Sequence, residues 1–475
     1  MIISSFVRLS VTLVLLAHIT AHASAQTESI PRGQIVERVQ TLKDSSQSYA
    51  LYLPSNYTPD RKWPVLYAFD PGARGRVPVE RFKEAAEKYG WIVVGSNNSR
   101  NGPWDLAVNA WNAMQIDTHQ RFAIDDRRMY TTGFSGGARA AVRIAVACKC
   151  LAGVMATGAG FPTDLAPSSG MSFLFFGAAG VDDFNYAELK SLEEPLFQAG
   201  ISHRLQTFDG RHEWPPAAVA TAAVEWMELH AIKAGKRPRD DAFISATWQQ
   251  LISDAKAREE SKKYFEAYQL YLDLAQSFKG LRDVAEIETK VKQLVDSREL
   301  KAAIREEQAQ IKKQRELESR LNSLLAGRDG GASANPTEDG FDSANLLPKI
   351  LSDLRKQSTA AEDSTQRRVA RRVLDGLFVG LVEQGISLLQ TEKNYLESIR
   401  IFKLATEVNP DRPGVFFYLA SAYAANRDKE KSLQFLNKAV DKGFSDTALI
   451  EATKAFDSIR NDPQYQQIMT RLKKQ

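Results

Sequence analysis

The chain has 475 residues, with 62 Lys and Arg against 58 Asp and Glu and a formal net charge of +4. That length exceeds one ordinary core and predicts two or three domains. No basic block stands out, so composition gives no nucleic-acid-binding role; with two cysteines and no Cys/His cluster, no zinc site, other metal or cofactor is indicated.

Residues 1–10 carry one charged side chain, Arg8; residues 11–19 are mostly apolar, and Ala23-Ser24-Ala25 offers a small-residue cleavage site before Gln26. This is the layout of a secretory signal peptide, residues 1–25, and predicts a soluble secreted or periplasmic protein. The apolar run is far short of the roughly 20 residues that span a bilayer. No later stretch is read as long enough, so no membrane span is expected.

From residue 35 to about 209, short apolar runs alternate with helix-like runs. Strands are predicted at 48–53, 64–69, 91–96, 128–132, 151–157, 171–176 and 203–208. Helices are predicted at 79–88, 106–121, 138–147, 186–199 and 217–234. The alternation predicts an α/β fold with a mostly parallel sheet and helices on both faces. Cys148 and Cys150 are read as small apolar residues at a helix end, because closing so short a loop would strain a disulfide. Residues 235–238 mark a plausible boundary, giving a catalytic domain over 26–238.

Past Pro238 the strand signals stop and an all-α region follows. Residues 239–325 are predicted helical, with a charged run over 291–325 suited to a long helix or coiled coil, and residues 326–342 read as a flexible linker. Residues 343–475 hold a repeat: a shift of 34 residues superposes Ile386 on Ala420, Leu389 on Tyr423, Ser398 on Ser432, Phe402 on Leu436 and Ala405 on Ala439. Small residues recur where two helices approach, large ones where they interlock. Period and pattern resemble the tetratricopeptide repeat, a helical module that binds protein partners. Residues 448–472 look like a degenerate further copy, and 248–278 like a divergent earlier one.

The chemistry centres on Gly133-Phe134-Ser135-Gly136-Gly137. A strand is predicted before Ser135 and a helix after it, the context of a nucleophile elbow, whose tight turn demands small flanking residues. A serine hydroxyl needs a base to take its proton. Of the histidines beyond the leader, His119 reads as a surface residue, His203 as a strand residue and His230 as part of a helix. His212 lies on the loop after the last strand, where α/β sheets place reactive groups. Asp182 and Asp183 follow another strand, so the chain order is Ser, Asp, His. Two backbone donors are needed for an oxyanion: Gly136, and either Gly72 or Ala73 in the loop after residue 69. Trp104 and Trp214 are candidate substrate-binding residues.

With Leu51-Tyr52-Leu53-Pro54, Asp70-Pro71-Gly72, the Ser135 pentapeptide, the run from Gly180 to Tyr186 and the run from Gly210 to Pro215, residues 35–234 resemble an α/β-hydrolase of the esterase and polyhydroxybutyrate-depolymerase-like kind. That resemblance selects Asp183 as the acid. It implies a serine hydrolase that cleaves a small-molecule or polymeric ester, without a cofactor. Where many relatives have His-Gly-Gly, this chain has Asp-Pro-Gly-Ala. No long insertion separates 151–157 from 171–176, where many relatives carry a lid, so an open site is expected and the halves are expected to be separable. The alternatives are a serine peptidase, or a repeat scaffold whose hydrolase-like domain is inert.

Overall fold

The computed structural model describes residues 30–329 and 343–473. The expected signal peptide, 1–25, lies outside the described residues, as do positions 330–342 of the expected linker. Residues 326–329 are not linker: they continue a long helix.

Eight strands form one sheet in the order β1-β2-β4-β3-β5-β6-β7-β8. They are β1 (Ile35–Gln40), β2 (Ser48–Tyr52), β3 (Trp63–Phe69), β4 (Ile92–Ser96), β5 (Ile124–Phe134), β6 (Gly153–Thr157), β7 (Leu174–Gly180) and β8 (His203–Phe208). β1 and β2 run antiparallel, and β3 to β8 are parallel. Every residue of β3 and β4 is buried, which explains why their sequences are continuously apolar rather than alternating. β1 escapes sequence reading because Ile35-Val36-Glu37-Arg38-Val39-Gln40 is a polar edge strand.

The covering helices are α1 (Arg76–Tyr89), α2 (Trp104–Arg121), α3 (Gly136–Cys148), the short α4 (Tyr186–Lys190) and α5 (Glu193–Gln198), and α6 (Ala217–Lys233). α1 packs with α6, and α2 with α3. This strand order, with the crossover at β3 and β4, is that of the α/β-hydrolase fold. Cys148 and Cys150 form a disulfide, contrary to the sequence reading. Lys149 between them turns at φ 53°, which brings the two Cα atoms to 5.1 Å, a separation a disulfide accepts.

Helices α7 (Asp241–Glu260), α8 (Tyr264–Phe278), α9 (Ala285–Asp296), α10 (Arg298–Asp329), α11 (Ser343–Ser358), α12 (Thr365–Gln390), α13 (Tyr395–Val408), α14 (Pro413–Ala425), α15 (Lys429–Asp441), α16 (Thr447–Ala452) and α17 (Pro463–Leu472) complete the chain. The shift of 34 residues carries the end of α12 onto α14 and α13 onto α15. Ser398, Phe402 and Ala405, like Ser432, Leu436 and Ala439, are fully buried. The charged run over 291–325 breaks at Ser297, and α10 packs across α12.

By length and composition α12 is apolar enough to cross a membrane, which corrects the reading that no such stretch exists after the leader. Val369, Val373, Leu381 and Leu388 of this helix are buried in the helical core.

The described residues from Arg32 onward form one compact unit. The expected boundary at 235–238 is tied down: Arg237 donates to buried Glu228 at 2.7 Å, and Glu228 also accepts from Trp91 at 2.7 Å and pairs with Arg128. Farther on, Asp273 of α8 accepts from the Trp226 indole at 2.9 Å and pairs with Arg204 at 3.3 Å.

Candidate active site

β5 runs directly into α3 through Ser135, which sits at φ 54°, ψ −122°. A non-glycine residue there is strained, and the surroundings must hold it. The Ser135 N–H donates to the Thr157 carbonyl at 2.8 Å. The turn is so tight that a Cβ on Gly133 would collide with the Gly137 carbonyl, and one on Gly137 with the carbonyl of Phe69. The two glycines of the pentapeptide are therefore dictated by backbone proximity. Ser135 caps the N-terminal end of α3, where the helix dipole favours developing negative charge.

His212 Nε2 lies 2.9 Å from Ser135 Oγ, and His212 Nδ1 lies 2.9 Å from Asp183 Oδ1. The imidazole is clamped between two rings, Phe184 at 4.0 Å and Phe134 at 4.5 Å between centroids. Asp183 is fully buried, and Oδ1 also accepts from the Asn185 N–H at 2.8 Å. Burial raises the Asp183 carboxyl above its ordinary range, against the bonds from His212 and Asn185. The acid and base loops are zipped together: Val181 N–H donates to Phe208 O and Asp182 N–H to Gly210 O, each at 2.9 Å. Asp182 faces away from the imidazole, pairing with Arg371 of α12 at 2.7 Å. Of the two neighbouring carboxylates, only Asp183 meets the histidine.

The two expected oxyanion donors in the loop after β3 have partners already. The Gly72 N–H donates to Asp70 Oδ1 at 2.8 Å and the Ala73 N–H to the Asp70 carbonyl at 3.2 Å, so both are engaged. Asp70 is a buried hub. Burial disfavours its charge, yet Arg74, the Trp214 indole and the Gly72 N–H together hold its carboxyl below the ordinary range. Gly136, the first residue of α3, begins the helix and has no intrahelical acceptor for its N–H. The side chain lying against it is Asn101, whose Oδ1 occupies the space a Cβ on Gly136 would need. Asn101 was not singled out from sequence; its only signal was a place in the loop before α2, beside Trp104.

Neither tryptophan lines the large cavity at Ser135. Trp214 is 4% exposed, belongs to the core, and donates its indole N–H to Asp70 Oδ2 at 2.8 Å. Trp104 is 39% exposed, stacks with Arg143 at 4.2 Å, and borders a small pocket of about 130 Å³ behind Gly136.

The helical half forms one side of the site. A cavity of about 1160 Å³ begins at Ser135 and Gly136, and its far wall is built by α10, α12 and α13. The same helices grip the loop that carries Asp183. Arg372, 1% exposed, donates from Nε to the Val181 carbonyl at 2.7 Å. Gln314 donates to the Phe184 carbonyl at 2.9 Å, and Tyr186 Oη donates to Glu307 at 2.7 Å. From the base loop, Arg211 pairs with Asp375 at 3.5 Å.

No family model and no curated protein matches the chain. Solved structures similar to it include serine hydrolases and esterases. A ferulic acid esterase is 16% identical, with 41% of this chain and 97% of that one covered and a TM-score of 0.35. An S-formylglutathione hydrolase from Staphylococcus aureus is 14% identical, with 42% and 98% covered and a TM-score of 0.34. An arylesterase is 13% identical, with 42% and 86% covered and a TM-score of 0.34.

Proposed function

We propose that this protein is an exported serine hydrolase that cleaves carboxylic esters through an acyl-serine intermediate. The observation that supports it is the unbroken chain of 2.9 Å contacts from Asp183 through His212 to a strained Ser135 at a helix N-terminus. His212 Nε2 accepts the Ser135 proton as Oγ attacks the ester carbonyl, while Asp183 holds the other ring nitrogen as a donor and stabilises the imidazolium. The Gly136 N–H meets the negative oxygen, and Asn101 Nδ2, which donates to Glu383 Oε1 at 3.4 Å, supplies the second donor by giving up that bond. Nε2 then returns the proton to the departing alcohol. Water repeats the sequence, giving its proton to His212 and its oxygen to the acyl group, and Ser135 is released. No cofactor is required.

Export rests on the leader pattern in residues 1–25. The helical repeats, of tetratricopeptide type by their period, offer their outer faces to a protein partner. The test of the proposal is hydrolysis of 4-nitrophenyl esters by the full chain beside its Ser135→Ala variant. Turnover that depends on Ser135 supports it, and turnover indifferent to that residue contradicts it.

A further inference from the structure

β8 is the last strand of the sheet, and one of its two edges is paired, with β7. The Phe175 N–H donates to the Ser202 carbonyl at 3.0 Å and the Val181 N–H to the Phe208 carbonyl at 2.9 Å. A parallel ladder uses every second residue, so Ser202, Arg204, Gln206 and Phe208 turn their backbone groups toward β7. The N–H and C=O groups of His203, Leu205 and Thr207 point the other way. Among the described residues they have no backbone partner.

This outer edge is the floor of a groove of about 500 Å³, along which β8 runs from His203 to Thr207. Neighbouring strand residues face opposite sides of a sheet. His203 reaches Glu193 of α5 at 3.4 Å, and Arg204 reaches Asp273 of α8 at 3.3 Å. The groove is therefore walled by α5 on one face of the sheet and by α7 and α8 on the other. An unpaired edge is a template for a further strand. A second copy of the chain would bring its own α5 and α8 against these walls, whereas a single extended segment brings none.

The side chains around the floor say what kind of segment suits it. Phe197 of α5 is 63% exposed, and Phe265 and Tyr268 of α8 line the opposite wall. Five carboxylates line the groove against two guanidinium groups and His203. Arg204 pairs with Asp273, His203 with Glu193, and Arg258 with Glu266 at 2.9 Å. Glu194 and Asp254 accept from side-chain amides instead, Gln198 at 2.5 Å and Gln250 at 3.0 Å. Lys190, over the Phe265 ring at 5.1 Å, does not reverse the excess of negative charge.

We propose that the groove beside β8 binds an extended segment of a partner protein, basic and apolar in alternation, which joins the sheet as a further strand. Its backbone pairs with His203, Leu205 and Thr207. Its lysine or arginine side chains meet Glu194 and Asp254, and its apolar ones cover Phe197 and Phe265. The site is separate from Ser135 and does not depend on the serine-hydrolase reading.

The test is fluorescence anisotropy of a labelled, capped peptide, Lys-Val-Arg-Phe-Lys-Val-Arg-Phe, titrated with the full chain. Two further peptides carry backbone N-methyl groups, one on the basic residues and one on the apolar residues. Only one of these sets faces β8. One N-methylated peptide is therefore expected to bind roughly tenfold or more weakly, and the other to keep most of its affinity. Thr207→Pro removes an outward donor and leaves the β7 ladder intact. Glu194→Lys combined with Asp254→Lys reverses the charges that lack a cation. Circular dichroism checks both folds, and each is expected to weaken the parent peptide by roughly tenfold. No saturable binding, the same affinity for both N-methylated peptides, or an affinity unmoved by the charge reversal would overturn the proposal. So would a full chain that is dimeric in solution and becomes monomeric in Thr207→Pro, since a second copy would then hold the edge.

Discussion

The guanidinium of Arg372 lies 3.6 Å from the centre of the Tyr186 ring, and its Nε and Nη2 both donate to the carbonyl of Val181. Arg372 belongs to the helical half, while Val181 and Tyr186 bracket Asp183. One buried side chain thus fixes both ends of the acid loop from across the interface. Arg372→Leu leaves the Val181 carbonyl unpaired, a cost of about 1–3 kcal/mol, and frees the loop to drift from His212. The expected result is a kcat for a small ester reduced by roughly tenfold or more, with KM little changed, and partial recovery in Arg372→Lys. A lowered melting temperature with unchanged kcat would make the contact structural only.

Asp183→Asn is expected to cost far more than Asp182→Asn. Only Asp183 reaches the imidazole; its amide would no longer fix the ring tautomer, a loss on the order of 10⁴-fold in kcat. Asp182→Asn breaks the ion pair with Arg371 and should act on stability first. Steady-state kinetics on both variants decide, and equal losses would remove Asp183 from its assigned role.

Asn101→Ala should lower kcat by roughly 10²- to 10³-fold, the size found when one oxyanion donor is removed. Asn101→Asp should be at least as harmful, because a carboxylate beside Gly136 would repel the developing negative charge. Near-wild-type kcat in Asn101→Ala would send the search for the second donor elsewhere.

His230 offers a pH test of the interface. It packs on Trp226 at 4.3 Å between ring centroids and bonds to Ser277 at 3.2 Å. Burial, against the pull of Asp273 and with the help of Lys233, pushes its pKa down to about 4. An unfolded histidine titrates near 6.5. As pH falls from about 6.5 the unfolded state takes a proton that the folded state refuses until about 4. The stability held above that window is therefore lost across it, on the order of 2–3 kcal/mol. Thermal melts from pH 7 to 4 should show the loss, and His230→Phe should reduce its slope. An equal slope in the variant would assign the acid sensitivity to other groups.

The sheet was legible because its central strands are apolar on both faces and glycine-rich turns separate them. The three residues of the candidate triad were legible because each follows a strand and chain order is visible in sequence. The second oxyanion donor was not. Asp70-Pro71-Gly72-Ala73 reads as a loop with free amides, and only the fold shows both held by Asp70. Trp214 misled for a related reason, since its indole N–H needed a buried acceptor and found Asp70 rather than a substrate. The helical wall over Ser135 was least legible. Arg372 and Val181 are 191 residues apart, and no local pattern in an arginine-rich helix start announces what it will bind. Against the expectation that residues 26–238 act alone stands what a cut there removes: the bonds of Arg372, Gln314 and Glu307 to the acid loop.

The most direct test of the central claim is to treat the full-length chain with a fluorophosphonate and map the adduct by mass spectrometry. A single phosphonyl group on Ser135 is expected, absent in Ser135→Ala, together with a loss of ester turnover on the order of 10³-fold or more in that variant. An adduct on another residue, or near-wild-type turnover by Ser135→Ala, would contradict the account.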